Sequence, residues 1–299
     1  MPLLSNLSVA SLVAIIAYQY YNARSTPIPS PTSGAEVSWK RYLGRREGIL
    51  QTLNVTKNPD APLFPIRESW DESSPMYTAW DLFPAAYPCP YELERVGHLG
   101  DGGKWVCGMS QYEATTRPQV MYSFGVGGEV SLEVEWIRRT NTYVHSFDYT
   151  VTTTEFPGLD KMTDRFKLQQ LGVAGEDYIE DGHRFATLKT IMTDLGHDYV
   201  DVIKMDVEGS EFPTLDSFLE DYEGKALPFG QLLIEIHLWE GSPDTIPDLL
   251  KWWEKLESFG LRPVSDEANL LAVTFGSVIP CCFEYTFINT NDTRGIKWR

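Results

Sequence analysis

From about residue 85 onward, short β-rich apolar runs alternate with amphipathic helical segments, and nothing else in the chain restricts its fold as much. Such alternation builds a parallel sheet with helices on its faces. Gln119–Phe124 (QVMYSF) leads into Gly125-Val126-Gly127-Gly128, helix-period residues Val130 to Arg139 follow, and Thr142–Phe147 (TYVHSF) is closed by Asp148. A third strand is expected near Arg165–Val173 and a helix over Thr187 to Leu195. Tyr199–Met205 (YVDVIKM) ends at Asp206, a helical stretch runs from Thr214 to Tyr222, and Leu232–His237 (LLIEIH) forms the next strand. An amphipathic helix from Leu249 to Phe259 stops at Gly260, a C-terminal glycine signal. Two late runs, Asn269–Phe275 and Cys282–Phe287, read as an antiparallel hairpin finishing the sheet.

The N-terminal part has a different character. Residues 2–23 carry no charged side chain, with an apolar peak at Leu12–Tyr18 and three tyrosines, Tyr18, Tyr20 and Tyr21, at the far end. A helix of that length rises about 33 Å, enough to cross a hydrocarbon core. Residues 1–24 are therefore expected to be a signal anchor, with a cleaved signal peptide or a packed helix as the alternatives. Residues 25–84 read as a Pro/Ser/Thr-rich linker or stem with one helical piece, Ser38 to Asn54, and 85–299 as the folded domain. No Lys or Arg precedes the apolar run, whereas Arg24, Lys40, Arg41, Arg45 and Arg46 follow it, and this charge bias by itself puts the folded domain in the cytosol. Two sequons, Asn54-Val55-Thr56 and Asn291-Asp292-Thr293, argue for the lumen. Of the four cysteines, Cys89 and Cys107 close a short loop, while Cys281 and Cys282 are adjacent; four buried thiols are the alternative. A lumenal domain of a single-pass membrane protein, or a secreted one, is the favoured reading.

Composition narrows the function. With 25 Lys+Arg against 42 Asp+Glu, the formal net charge is −17. So acidic a chain, with no basic patch outside the linker, gains nothing from phosphate counterion release, and a nucleic-acid substrate is not expected.

Four constellations carry chemistry. The first is strand–GVGG–helix with Asp148 ending the next strand. Glycines after a strand let a ligand approach the backbone, and an acid ending the second strand can hydrogen-bond a ribose diol. The full GxGxxG pattern is absent, since position 130 is Val, which weighs against NAD. The second is Val202–Glu211 (VIKMDVEGSE), which delivers Asp206, Glu208 and Glu211 at a strand's carboxyl end; the bland reading is a solvated acidic loop with Glu211 serving the next helix. In the third, Leu232–Trp239, Glu235 and His237 share one face at a strand end, and Trp239 is either core or a platform for a sugar or ring. The fourth, Gly100–Gly108 (GDGGKWVCG), is a tight-turn signal whose bland reading is a β-hairpin.

Tyr122–Glu129 (YSFGVGGE), His145–Asp148 (HSFD), Ile203–Glu211 (IKMDVEGSE), Ile234–His237 (IEIH) and the upstream Arg95–Cys107 (RVGHLGDGGKWVC) occur in that order. The set resembles the FkbM-like branch of class I S-adenosylmethionine-dependent methyltransferases, over roughly residues 85–290. The resemblance implies a Rossmann-like α/β fold: a seven-stranded, mostly parallel sheet with a reversed last strand and helices on both faces. It departs where many class I enzymes carry an acid two residues before the first glycine; here that residue is Ser123. By resemblance, Gly125 and Gly127 line the methionine end of S-adenosylmethionine and Asp148 holds the ribose hydroxyls. Asp206, Glu235 and His237 are the expected catalytic residues, either holding a divalent metal (Mg or Mn) or with His237 as a base oriented by a carboxylate. Glu208, Trp239 and Lys104 are expected on the acceptor side. The implied reaction is O-methylation of a small molecule or glycan. The rival readings are an NAD-dependent oxidoreductase and a lumenal binding module that keeps the fold without the chemistry.

Overall fold

The computed structural model describes residues 31–65, 74–152, 156–159, 164–239, 242–277 and 279–298. Its centre is a seven-stranded sheet. In chain order the strands of the protein are β1 (Leu93–Val96), β2 (Lys104–Cys107), β3 (Gln119–Phe124), β4 (Thr142–Phe147), β5 (Phe166–Gln169), β6 (Leu171–Val173), β7 (Tyr178–Glu180), β8 (His183–Ala186), β9 (Val200–Met205), β10 (Phe229–His237), β11 (Leu261–Asn269) and β12 (Cys282–Asn289). The large sheet runs β11-β12-β10-β9-β3-β4-β5. Pairing is parallel from β10 through β9, β3 and β4 to β5, and β12 alone is reversed, antiparallel to both β10 and β11. The chain builds outward from β3 in one direction and resumes at β9 in the other. The switch point between β3 and β9 is where an open α/β sheet leaves a crevice beyond the carboxyl ends of its strands.

The helices contained within the described residues are α1 (Pro31–Thr52), α2 (Met109–Ala114), α3 (Ser131–Arg139), α4 (Leu188–Leu195), α5 (Glu211–Asp221), α6 (Ile246–Ser258) and α7 (Leu271–Thr274). Their ends follow local chemistry. Thr187 and Thr245 cap α4 and α6 by accepting from the backbone N–H groups of Thr190 and Asp248. Gly196, at φ 69°, ends α4 in the left-handed conformation. Strand alternation divides the core in two: Val202 and Leu233 pack with Leu132, Trp136 and Ile137 of α3, while Ile203, Met205, Leu232 and Ile234 pack with α4, α5 and α6.

Three expectations are corrected. Arg165–Val173 is not one strand: β5 joins the large sheet, and β6 pairs with β8 in a separate three-stranded sheet, β6-β8-β7. The late hairpin is formed by Leu261–Asn269, not Asn269–Phe275; residues 271–274 are helical. Its first arm escapes a period reading because Pro263 and the register shift between Pro263 and Ser265 interrupt the alternation. In the segment expected as a linker, α1 covers 31–52 and packs on the body: Trp39 is 3% exposed, and Arg46 makes a bidentate contact with Glu257 of α6 at 2.7 Å on both arms. The expected membrane helix, residues 2–23, lies outside the described residues, and among those described no helix is long and apolar enough to cross a membrane.

Gly100–Gly103 is the turn of an antiparallel β1–β2 hairpin, as its bland reading has it. The hairpin docks on the sheet through the buried amide of Gln231, which accepts from the Cys107 backbone N–H at 2.9 Å and donates to its carbonyl at 3.1 Å. Cys89 and Cys107 are disulfide-bonded, Cα to Cα 5.8 Å, and so are Cys281 and Cys282; none of the four is a free thiol.

Candidate active site

Four neighbouring strands, β4, β3, β9 and β10, deliver Asp148, Gly125, Asp206 and His237 to one edge of the sheet. A cavity of about 560 Å³ opens there, lined among others by Gly125, Gly127, Asp148, Asp206 and Glu208. The two glycines serve different ends. Gly125 has φ 70°, and a Cβ on it would lie 1.7 Å from the Asp206 carbonyl oxygen, so the turn after β3 and the turn after β9 touch through backbone. Gly127 has φ 52°, yet a Cβ there would meet nothing within 4 Å. Its bare backbone faces open space, as a phosphate- or nucleoside-binding turn requires. The Asp148 carboxylate accepts from Gly127 N–H at 2.9 Å on one oxygen and from Thr150 N–H and Oγ at 2.8 and 2.7 Å on the other. Beyond it Tyr149, Tyr178 and Phe185 form an aromatic wall, the last two stacked with centroids 4.7 Å apart.

The acid missing at position 123 is supplied from α3. Glu133, 2% exposed, accepts a hydrogen bond from Ser123 Oγ and lines the cavity. Burial raises its carboxyl above the usual range, against the pull of the Lys204 ammonium. Lys204 is itself a cation in the middle of an apolar strand and donates to the Phe124 and Gly125 carbonyls, holding the glycine turn from below. A lysine interrupting VIKM was the sequence signal for it.

Asp206, Glu235 and His237 converge. His237 Nε2 lies 3.9 Å from Asp206, 3.7 Å from Glu235 and 3.7 Å from Glu208. On its other side, Nδ1 is 2.8 Å from Glu211, whose carboxylate also accepts from Val207 and Gly209 N–H, stapling the 206–211 turn. Burial works against the charged ring, but the hydrogen bond and charge of Glu211, then Glu235 and Asp206, outweigh it and raise His237 to about 9. At neutral pH the ring is an imidazolium, which donates a proton rather than accepting one, in contrast to the expected base.

Lys104, expected to face an acceptor, is 2% exposed instead. Glu235 and Glu284 stand directly opposite each other on β10 and β12, a like-charge pairing that a sheet does not tolerate without a counter-charge. Lys104 arrives from β2 to provide it: it bonds Glu284 and lies 3.4 Å from Asp206 and 3.9 Å from Glu235. Burial and the Asp206 and Glu284 charges still push Glu235 up to about 8, while Lys204 and Lys104 hold Asp206 low against its own burial. The ammonium stands where these three carboxylates would hold a metal ion, so the Asp206 and Glu235 part of the expected Mg or Mn set is already neutralised from within. Trp239 stacks on His237, centroids 4.5 Å apart, donates from Nε1 to the Glu208 carbonyl at 3.1 Å, and stays 40% exposed. Glu208 adopts φ 58°, an uncommon left-handed backbone for a non-glycine residue, which this bond secures.

A family model described as a methyltransferase domain matches residues 34–288. No curated protein matches the chain. Among solved structures, it is similar to the fibrillarin pre-rRNA processing protein of Methanococcus jannaschii (14% identity, TM-score 0.36, covering 59% of this chain and 68% of that one). It is also similar to precorrin-6y C5,15-methyltransferase of Geobacter metallireducens (15%, TM-score 0.32, 60% and 83%). A third is 1,6-didemethyltoxoflavin-N1-methyltransferase of Burkholderia thailandensis, solved with its namesake ligand and S-adenosylhomocysteine (14%, TM-score 0.33, 61% and 76%).

Proposed function

The chain belongs to a methyltransferase-domain family, and from that premise we propose that it transfers a methyl group from S-adenosylmethionine to a hydroxyl of a small molecule or glycan, as a member of the FkbM-like branch. One juxtaposition carries the reading: Gly127 backbone open to the cavity, hydrogen-bonded to an Asp148 carboxylate at the end of the next strand. The residues fit the cofactor. Gly125 and Gly127 form the turn for its methionine end, Asp148 offers lone pairs to a ribose diol, and Tyr149 and Phe185 offer apolar faces to a base.

The bound cofactor supplies an electrophilic methyl on a sulfonium. The chain's own residues do the rest. The stapled 206–211 turn, with Glu211 fixing both the turn and His237, holds Glu208 and Asp206 at the edge of the cavity. His237, as imidazolium, orients these carboxylates. Trp239 presents one face to the acceptor side while its other covers His237. An acceptor hydroxyl placed among Asp206, Glu208 and Trp239 gives up its proton toward this carboxylate group as its oxygen gains the methyl.

We place the domain in the lumen of the secretory pathway, tethered through residues 2–23. All four cysteines are paired, as suits an oxidising compartment, and Asn54 and Asn291 of the two sequons are exposed. The deciding experiment is calorimetric titration with S-adenosylmethionine and, in parallel, NAD. It is followed by incubation with methyl-labelled cofactor and cell-derived glycan, lipid and small-molecule fractions. Binding of S-adenosylmethionine alone, with label entering one fraction, is expected. Binding of NAD, or of neither ligand, would remove the reading.

A further inference from the structure

Among the described residues, the cavity is lined by seven carboxylates, Glu133 among them, against a single ammonium, that of Lys204. That ammonium is 5% exposed and is tied to the Phe124 and Gly125 carbonyls, with the Asp206 carboxylate 3.6 Å away. The neighbouring cations are committed as deeply: Lys104 to Glu284 and Asp206, His237 to Glu211. The Asp148 carboxylate is held by the Gly127 and Thr150 N–H groups and the Thr150 hydroxyl, and Glu133 is hydrogen-bonded by the Ser123 hydroxyl, with Lys204 the cation that acts on it. The side chain of Glu208 is 71% exposed at the rim. Low-dielectric walls lined by one sign of charge focus a field on whatever enters.

S-adenosylmethionine carries a sulfonium, an ammonium and one carboxylate, so it enters with net charge +1. In the transfer, the sulfur–methyl bond breaks as the acceptor oxygen–methyl bond forms, the electron pair stays on sulfur, and the acceptor's proton leaves. The product, S-adenosylhomocysteine, is a neutral zwitterion of nearly the same shape. We propose that this cavity selects the charged cofactor over its own spent form by electrostatics, with Glu208 and Asp101 at the mouth and Asp206 behind them as the discriminating carboxylates, so that loss of the methyl releases the product. The inference rests on the methyl-transfer reading above. Asp101 belongs to it because the β1–β2 turn brings it to the cavity from outside the sheet.

Calorimetric titration of the whole protein with S-adenosylmethionine and S-adenosylhomocysteine tests this without any acceptor. The charged ligand is expected to bind about tenfold more tightly or better, and added salt is expected to narrow the gap. Glu208→Gln and Asp101→Asn change exposed or half-buried side chains and should each cut the preference by about two- to fivefold while leaving S-adenosylhomocysteine affinity nearly unchanged. Equal affinity for the two ligands in the unmodified protein overturns the inference and leaves the methyl-transfer reading standing. A variant that weakens both ligands alike overturns it too, because the carboxylate then acts as a contact to shared groups rather than through charge. Failure of both ligands to bind overturns the inference together with the reading beneath it.

Discussion

Asp148 spreads its carboxylate over the Gly127, Thr150 and Val151 amides, so its removal unties the glycine turn as well as any ligand hydroxyl. Asp148→Ala should weaken S-adenosylmethionine binding by about 1.5–3 kcal/mol, the loss of hydrogen bonds to a charged acceptor; unchanged affinity by calorimetry in a folded variant would take Asp148 out of the cofactor site. Lys104 makes a sharper case. Lys104→Met leaves Asp206, Glu235 and Glu284 buried together without their cation, and breaking such a set should cost about 3–5 kcal/mol in denaturant unfolding. Glu235, already raised to about 8 by burial and by the Asp206 and Glu284 charges, would then sit further above its unfolded value. A group raised on folding contributes fully below its unfolded pKa and loses that contribution as pH rises through its folded one, so the variant should regain stability as pH falls from about 8, with the gain complete near the unfolded value of 4.5. A variant as stable as the parent at pH 8 would show that the ammonium is not what balances the trio. Of the residues that escaped the sequence reading, Lys204 left a signal as a cation inside an apolar strand, whereas Glu133 and Glu284 become legible only through the side chains they meet, Ser123 and Lys104.

Among elements, the catalytic strands were readable and the edges were not. β3 and β4 run over the expected residues, because turn chemistry bounds a continuous apolar run on both sides. The helix over 31–52 was only partly readable, since its buried stripe of Ala35, Trp39 and Leu50 is interrupted by Arg46, a charge whose partner Glu257 arrives from a distant element. Arg46 is 5% exposed, forks onto Glu257, and lies over the rings of Tyr42 and Phe83. Arg46→Ala should therefore loosen α1 selectively: hydrogen exchange is expected to quicken in 31–52 while β3, β9 and β10 keep their protection, with a loss of about 3 kcal/mol from stranding Glu257. Uniform loss of protection across the sheet would mean that α1 is part of the cooperative core.

For the whole molecule, two histidines set opposite pH limbs. Burial, then the charges of His197 and Lys167, lowers His145 to about 4, below its unfolded value near 6.5. Its contribution is complete above pH 6.5 and is lost as pH falls through 4. His237, raised to about 9, contributes fully below 6.5 and loses that as pH rises through 9. Unfolding midpoints should peak near pH 6–7, with His145→Gln flattening the acid limb and His237→Gln the alkaline one; limbs that persist in both variants would assign the dependence to other groups. Reduction of Cys89–Cys107, or Cys89→Ser with Cys107→Ser, should lower stability by about 3 kcal/mol through the loop it releases. The sequence by itself determined the α/β alternation, the carboxyl-end positions of Gly125, Asp148, Asp206 and His237, and the acidity of the whole, because periodicity and strand termination are local properties. Only the tertiary structure decided that Glu133 replaces the acid absent at 123, that Lys104 is an internal counter-ion rather than an acceptor contact, and that Glu211 fixes His237 as an imidazolium. Each of these depends on side chains from different elements meeting in a buried space, where charge must be matched by charge.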